Sequence, residues 1–130
     1  MTRRLFLIAL VAVLLVPAVA EAGRRWELLG TLTVSDAVDH DTLVVTAARG
    51  TFRRIKIQVE DRAVQFREVK IHFGSGDSQN VELRRVIPAG GESRLIDIEG
   101  RGDRVIRSIE FLYDAQSLGG KAKVKVWAKN

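Results

Sequence analysis

Residues 121–129 read Lys121-Ala122-Lys123-Val124-Lys125-Val126-Trp127-Ala128-Lys129, and polar and apolar side chains alternate along most of this stretch. Successive side chains of a β-strand point to opposite faces, so the alternation predicts a strand with one dry face and one wet face. The alanines and valines form the dry face, and the lysines and Trp127 form the wet face. Such a strand is typical of an antiparallel sheet that is covered on one side only.

The same period of two extends to other segments on the N-terminal side of this stretch. Ile55, Ile57 and Val59 alternate with polar residues, and Val69, Ile71 and Phe73 do the same. Residues 104–113 fit a helix in part, but their alternation fits a strand better, and we interpret them as a strand. The predicted strands are 26–34, 42–47, 52–60, 63–73 with a break near Arg67, 80–87, 93–98, 104–113 and 121–129.

Turn signals separate these segments about every ten residues, which is the spacing of a β-sandwich or barrel. They include Gly74-Ser75-Gly76-Asp77, Pro88-Ala89-Gly90-Gly91 and Gly119-Gly120. We therefore predict an all-β fold, an antiparallel β-sandwich of seven to nine strands. A jelly-roll-like arrangement is preferred to an immunoglobulin-like one, because the Cys…Trp…Cys pattern of the latter is missing.

The N-terminal segment has the pattern of a secretory signal peptide. A basic start that contains Arg3 and Arg4 precedes an apolar run over residues 5–16, and small residues close the segment at Ala20 and Ala22. We expect residues 1–22 to be the signal peptide and residues 23–130 to form a single domain that is exported, periplasmic or extracellular. The apolar run is shorter than the roughly 20 residues that cross a bilayer, and no transmembrane segment is predicted in the mature chain.

Composition narrows the class of protein further. The 130 residues include no cysteine, which excludes disulfides and thiolate chemistry and favours a bacterial envelope protein. The full chain has a net charge of +5, and without Arg3, Arg4 and Glu21 it keeps 19 basic and 15 acidic residues, a net charge of +4. A charge of this size biases a domain toward anionic surfaces without indicating a specific nucleic-acid partner.

The order of landmarks along the chain resembles a family of small exported bacterial proteins of unknown function. The landmarks are Trp26-x-x-Leu29-Gly30, Asp39-x-Asp41, Gly50-x-Phe52-x-x-Ile55, His72-Phe73-Gly74, Ala89-Gly90-Gly91, Ser93-Arg94-x-Ile96-Asp97 and Ile109-x-Phe111-x-Tyr113. The resemblance implies an all-β exported domain and brings no assigned activity.

Asp36-Ala37-Val38-Asp39-His40-Asp41 gathers three carboxylates and an imidazole in a predicted loop. Oxygen-rich loops of this kind hold Ca²⁺ in some proteins, but the glycine and the distal glutamate of the EF-hand are missing. Asp39 and Asp41 are weak metal candidates, and we favour a turn that their side chains cap. We predict no cofactor.

The segment Ser93-Arg94-Leu95-Ile96-Asp97 breaks simple alternation at Leu95-Ile96. Arg94 or Asp97 is then expected to lie partly inside, where a charge requires a partner. We favour a pair between Asp97 and Arg94, Arg84 or Arg85, and a ligand-binding role for Arg94 and Asp97 is the alternative.

The wet face of residues 121–129 is the most distinctive candidate surface. Lys121, Lys123 and Lys125 with Trp127 would suit an anionic glycan, lipid headgroups or an envelope protein. The alternative is that these lysines protect an edge strand from pairing with other chains.

We therefore predict a non-enzymatic exported binding or envelope-associated module that contacts an anionic envelope component through a basic edge strand. Alternatives are a small hydrolase or Ca²⁺-dependent enzyme, and a structural subunit that pairs through its sheet edge. The hydrolase lacks a G-x-S-x-G elbow, and its triad would need His40 or His72. We expect His72 to be a solvated surface residue.

Overall fold

The computed structural model describes residues 25–36, 39–114 and 119–130, apart from the side chain of Ala48. The predicted signal peptide, residues 1–22, lies outside the described residues. In the described ranges the secondary structure consists of eight β-strands and one short 3-10 turn at Ala47–Arg49. The strands are β1 (Glu27–Ser35), β2 (His40–Val44), β3 (Arg54–Glu60), β4 (Val64–Phe73), β5 (Ser78–Ile87), β6 (Ile96–Asp97), β7 (Ile106–Tyr113) and β8 (Lys121–Lys129).

These strands form two antiparallel sheets of four strands each. The first sheet has the order β1-β8-β3-β6, and the second has the order β2-β7-β4-β5. Four of the pairs are nested along the chain, namely β1 with β8, β2 with β7, β3 with β6 and β4 with β5. This nesting is one long antiparallel hairpin wrapped into two sheets, which is the jelly-roll arrangement. The predicted all-β sandwich is confirmed.

The core lies between the inner faces of the two sheets. Ile55, Ile57 and Val59 of β3 are completely buried, and so are Val126 and Ala128 of β8. Each of these residues alternates with an outward polar side chain, as the period of two predicts. The Phe66 and Phe111 rings meet at a centroid distance of 6.2 Å with a tilt of 58°. Burial of one face of each sheet therefore fixes which side chains remain on the outside.

The strand β8 has the predicted bounds but not the predicted position. It pairs with β1 on one side and with β3 on the other, so it is an inner strand of the first sheet. The prediction of a basic edge strand is therefore wrong, and so is the view that its lysines protect an open edge. Local alternation reveals the two faces of a strand but not its neighbours, because the paired residues lie between 63 and 101 positions away in the sequence.

Register shifts occur in two other predicted strands, and only the first shift was predicted. The bulge near Arg67 is present, because the register between β4 and β5 shifts between Phe66 and Glu68. Residues 106–113 of the predicted strand 104–113 form β7, and a second register shift lies near Arg107. Arg107 is consequently exposed, and Ile106 takes the buried position instead of Val105.

The predicted strand 93–98 is reduced to the two residues of β6, because a side chain replaces part of its backbone pairing. Ser93 Oγ accepts a hydrogen bond from the Ile57 N–H at 2.9 Å, and Ser93 N–H donates to the Ile57 carbonyl at 2.7 Å. Gly91 is bonded to Val59 just before it. Residues 90–97 thus follow β3 although only two of them form a regular strand.

Buried Gln79 of β5 links the two sheets on the side where β5 and β6 are the edges. Its side-chain amide donates to the Asp97 carbonyl at 3.0 Å, and its amide oxygen accepts from the Glu99 N–H at 2.8 Å. The Gln79 side chain therefore acts as a peptide group that pairs with the outer edge of β6.

Candidate binding face

The outer face of the first sheet carries a concentration of cationic and aromatic side chains. Residues that are paired across β3 and β8 point to the same side, and the apolar residues between them are buried, so the polar members of both strands face outward. We call this surface the lysine face. It consists of Trp26, Arg54, Lys56, Gln58, Glu60, Asp97, Lys121, Lys123, Lys125, Trp127 and Lys129. Five of the six lysines of the chain and both tryptophans belong to it.

Trp26 lies just before β1 and joins the lysine face through two ammonium groups. Lys56 Nζ is 4.6 Å from the centre of the Trp26 ring, and Lys129 Nζ is 4.8 Å from it. An ammonium over an indole face is held by the ring quadrupole. Lys56 also forms an ion pair of 2.9 Å with Glu92. These contacts hold Trp26, Lys56 and Lys129 together on the sheet surface.

The second tryptophan is oriented by a neighbouring amide. Trp127 Nε1 donates a hydrogen bond to Gln58 Oε1 at 3.0 Å, and the Trp127 side chain is only partly buried. Lys125 Nζ donates to Glu60 Oε1 at 2.9 Å beside it. Lys121 and Lys123 are exposed, and within the described part of the chain they form no ion pair. The lysine face therefore combines an oriented indole with cations that are free to meet an anion.

Arg94 and Asp97, the remaining predicted ligand residues, do not pair with each other in the structure. Asp97 is 80% exposed, and its Oδ1 accepts a hydrogen bond from Arg54 Nε at 3.0 Å. The predicted partners Arg94, Arg84 and Arg85 are therefore wrong, and neither Arg94 nor Asp97 is drawn inside. Arg94 is exposed, whereas the buried residue of this segment is Ser93. The sequence did not identify Arg54, because its pairing with Asp97 depends on β3 and β6 being neighbours.

The predicted acidic loop, residues 36–41, is divided in the structure between a loop and the start of a strand. His40 and Asp41 are the first residues of β2, and Asp41 Oδ1 accepts a hydrogen bond from the Thr42 N–H at 3.1 Å. Ala37 and Val38 of this segment lie outside the described residues. In the ranges 25–36, 39–114 and 119–130, no three His, Asp or Glu side chains are arranged to hold a metal ion.

A polar cluster that sequence reasoning missed lies on the outer face of the second sheet. Glu110 of β7 is hydrogen-bonded to both histidines of the chain. His72 Nε2 is 2.7 Å from Glu110 Oε1, and His40 Nε2 is 3.3 Å from Glu110 Oε2. The hydrogen bond to His72, and then that to His40, hold the pKa of Glu110 below its ordinary value. The expectation that His72 is simply solvated is wrong, because its side chain is only 25% exposed and is bonded.

The Glu110 cluster forms because β7 lies between β2 and β4. The sequence contains little indication of this cluster, because His72 stands in a predicted strand whereas His40 stands in a predicted loop. The cluster links three strands, and it lies on the opposite side of the sandwich from the lysine face.

A turn at one end of the sandwich is held by Arg104. Its Nη2 donates to Asp77 Oδ1 at 2.5 Å and to Ser75 Oγ at 2.8 Å, and its guanidinium lies 3.7 Å from the centre of the Phe73 ring. The hydrogen bonds from Ser75 and Arg104 lower the pKa of Asp77. Ser75 is thus part of a structural turn.

The described residues contain no helix of the length and apolarity needed to span a membrane. Taken together, the strands and their surfaces define a small jelly-roll domain with a cationic, tryptophan-bearing sheet face. The chain belongs to the family described as a domain of unknown function (DUF2541), whose sequence profile matches residues 7–128. The expected membership of a family of unknown function is thereby confirmed.

Solved structures with a similar fold are distant in sequence. AlgX of Pseudomonas aeruginosa is 13% identical with a TM-score of 0.51, and the match covers 85% of this chain and 28% of AlgX. A mutant of CBM29-2, a family 29 carbohydrate binding module, in complex with cellulohexaose is 15% identical with a TM-score of 0.38, covering 84% and 82% of the two chains. The chain thus spans less than a third of AlgX, and the likeness to AlgX describes the fold alone. No curated protein sequence matches the chain significantly.

Proposed function

We propose that the protein is an exported, non-enzymatic binding module of the bacterial envelope whose lysine face binds an acidic polysaccharide. The observation that carries this proposal is the placement of five of six lysines and both tryptophans on the outer face of one sheet. The rest of the surface has one lysine, Lys70, on the second sheet. A net positive charge that is concentrated on a single face attracts an oppositely charged chain.

The spacing of the lysine face suits an extended ligand. Lys121, Lys123 and Lys125 are alternate residues of one strand, and such residues stand about 6.6–6.8 Å apart along it. Trp127 continues the same row and presents an amphipathic ring whose N–H is already bonded to Gln58. A polymer with regularly repeated acidic groups can therefore meet several of these side chains at once.

The acceptors on the lysine face favour a glycan over a polyphosphate. Glu60 and Asp97 lie among the cations, and the Gln58 amide stands beside Trp127. Glu92 is paired with Lys56 at the border of this face. Sugar hydroxyls can donate to such groups, whereas a closely spaced row of phosphates is repelled by carboxylates. We therefore expect binding of an acidic polysaccharide, and lipid headgroups or nucleic acid are the competing ligands that the experiment compares.

Affinity electrophoresis through gels that contain polygalacturonate tests the proposal, with neutral dextran gels as reference. We expect the wild-type protein to be retarded by polygalacturonate, and the retardation to fall as salt rises to about 0.15 M, where exposed charges are screened within about 8 Å. The variant with Lys121→Gln, Lys123→Gln and Lys125→Gln should bind about tenfold more weakly, since three charged contacts of about 0.5 kcal/mol each are lost.

The matched control removes three positive charges from the second sheet through Lys70→Gln, Arg85→Gln and Arg107→Gln. This control should keep the wild-type affinity if the lysine face is the binding surface. Equal weakening of both triple variants would show that only net charge matters, and wild-type mobility of the first variant would reject the lysine face. Stronger retention on anionic vesicles or single-stranded DNA than on polygalacturonate would reject the glycan.

The contribution of Trp127 is tested separately by Trp127→Ala. We expect weaker polygalacturonate binding and an unchanged melting temperature, because the ring is partly exposed and its loss leaves no buried cavity. A loss of melting temperature equal to that of a core variant would show that Trp127 is structural.

A further inference from the structure

A cleft with two arginines opens at one end of the lysine face. It has a volume of about 510 Å³, within the range of sites that hold small ligands. Arg54, Asp97 and Lys129 belong both to this cleft and to the lysine face, so the two surfaces are continuous. We call it the arginine cleft, and its lining residues are Arg53, Arg54, Asp97, Ile98, Lys129 and Asn130.

The two guanidinium groups of the arginine cleft differ in their hydrogen bonds to carboxylates. Arg54 Nε already donates to Asp97 at 3.0 Å. Arg53 Nε is 3.8 Å from Asp103 Oδ1, which is beyond hydrogen-bond distance, and the Arg53 side chain is 62% exposed. Within the described part of the chain, the Arg53 guanidinium donates no hydrogen bond to a carboxylate. Its fork of N–H groups is therefore available to a ligand.

The shape of these groups matches a planar anion. A guanidinium binds a carboxylate through two parallel N–H···O bonds, whereas a lysine ammonium offers a point charge. Asp97 stands at the rim with 80% of its side chain exposed. This carboxylate repels a second negative charge and accepts hydrogen bonds from hydroxyl groups. The side chain of Ile98 adds an apolar part of the lining.

We propose that the arginine cleft binds the carboxylate of a single uronic acid residue, with Arg53 as its main ligand. This inference rests on the proposed function, and it adds that the acidic polysaccharide is carboxylated and that one of its sugars is held in a defined subsite. A doubly charged phosphate is disfavoured beside Asp97, and a neutral sugar lacks the group that Arg53 recognises.

NMR titration of the arginine Nε–H signals tests this proposal with D-glucuronate, D-glucose and inorganic phosphate as probes. We expect D-glucuronate to shift the Arg53 and Arg54 signals saturably, D-glucose to shift neither signal, and phosphate to bind more weakly than D-glucuronate. Arg53→Gln should weaken D-glucuronate binding about tenfold, because it removes a charged, bidentate hydrogen bond. Arg53→Lys should restore only part of the affinity, since the charge returns without the fork.

Arg107→Gln is the matched control, since Arg107 is exposed on the second sheet and far from the cleft in the fold. It should leave D-glucuronate binding unchanged. Equal affinity of the wild type and Arg53→Gln, equal shifts with D-glucose, or stronger binding of phosphate would each overturn the carboxylate subsite. Failure of D-glucuronate binding with normal retardation by polygalacturonate would reject the subsite and leave the lysine face standing. Normal D-glucuronate binding without retardation of the protein by polygalacturonate would reject the lysine face alone.

Discussion

Gln79 and Ser93 are buried polar residues whose side chains form hydrogen bonds in places where backbone groups would otherwise pair. Each completes a run of hydrogen bonds beside β6, where the chain forms only two residues of regular strand. Buried donors and acceptors need partners, and the free energy lost when one remains unpaired is about 1–3 kcal/mol. At the scale of single residues, the closure of the sandwich beside β6 therefore depends on two side chains that are neither apolar nor charged.

Gln79→Leu tests this dependence. The leucine retains much of the side-chain volume but leaves the Asp97 carbonyl and the Glu99 N–H without their partner. We expect the free energy of unfolding to fall by about 2 kcal/mol, measured by denaturant titration. Asn80→Leu, at the exposed neighbouring position, should change it by no more than about 0.5 kcal/mol. Equal effects of the two substitutions would contradict the bridging role of Gln79.

Tyr113 presents the opposite situation, because its hydroxyl is buried and has no hydrogen-bond partner within the described part of the chain. Burial, and then the nearby charges of Asp41 and Asp39, raise the pKa of Tyr113, so the phenol stays neutral. Tyr113→Phe removes the unpaired group and keeps the ring. We expect the melting temperature to stay the same or to rise, with a gain of up to about 1 kcal/mol. A loss of more than about 1 kcal/mol would show that the hydroxyl is bonded in solution.

At the scale of elements, β8 shows which features of a strand can be predicted from its own sequence pattern. Its bounds, its buried residues and its outward lysines follow from alternation alone, because side chains of a strand alternate between faces. Its place between β1 and β3 could not be predicted, since pairing partners are distant in sequence. The same limit explains the missed contacts of Arg54 with Asp97 and of both histidines with Glu110. The shortening of β6 was missed because Ser93 replaces a backbone partner with a side chain.

Val124→Asp tests the assignment of the two faces of β8. Val124 is 1% exposed, so the substituted carboxylate would lose its hydration without gaining a partner. We expect a loss of at least about 4 kcal/mol, or no folded protein. Lys121→Asp on the wet face of the same strand should be tolerated within about 0.5 kcal/mol. Thermal melts of both variants provide the measurement, and equal losses would mean that the faces are assigned wrongly.

At the scale of the whole molecule, the two outer faces differ in their chemistry. The lysine face gathers cations and indoles, whereas the outer face of the second sheet carries the Glu110 cluster, in which one carboxylate joins residues from β2, β7 and β4. Because the pKa of Glu110 is lowered from 4.5, the unfolded chain binds its proton at a higher pH than the folded chain does. The contribution of Glu110 to stability is therefore present above about pH 4.5 and is lost as pH falls through the lower folded pKa.

Melting temperatures of the wild type and Glu110→Gln between about pH 3 and pH 7 test this dependence. The stability advantage of the wild type should be largest above pH 4.5 and should shrink on acidification. His72→Gln should reduce the same advantage, because the hydrogen bond from His72 is the main cause of the lowered pKa. An advantage that grows toward low pH would contradict the assignment.

The nested pairing of the strands also determines when the molecule can fold. Among the described strands, only β4 and β5 pair across a short turn, while Glu27 of β1 pairs with Ala128 of β8, 101 positions later. Long-range pairing makes folding slow, because the entropy of closing the loop is lost before the contact forms. Before residues 121–129 are available, β1 has no partner in the first sheet and only the short pairing of β3 with β6 can form, so a partly synthesised chain cannot complete that sheet. We expect this chain to remain unfolded until its last strand has emerged, which is the condition in which a polypeptide can be threaded through a translocation channel.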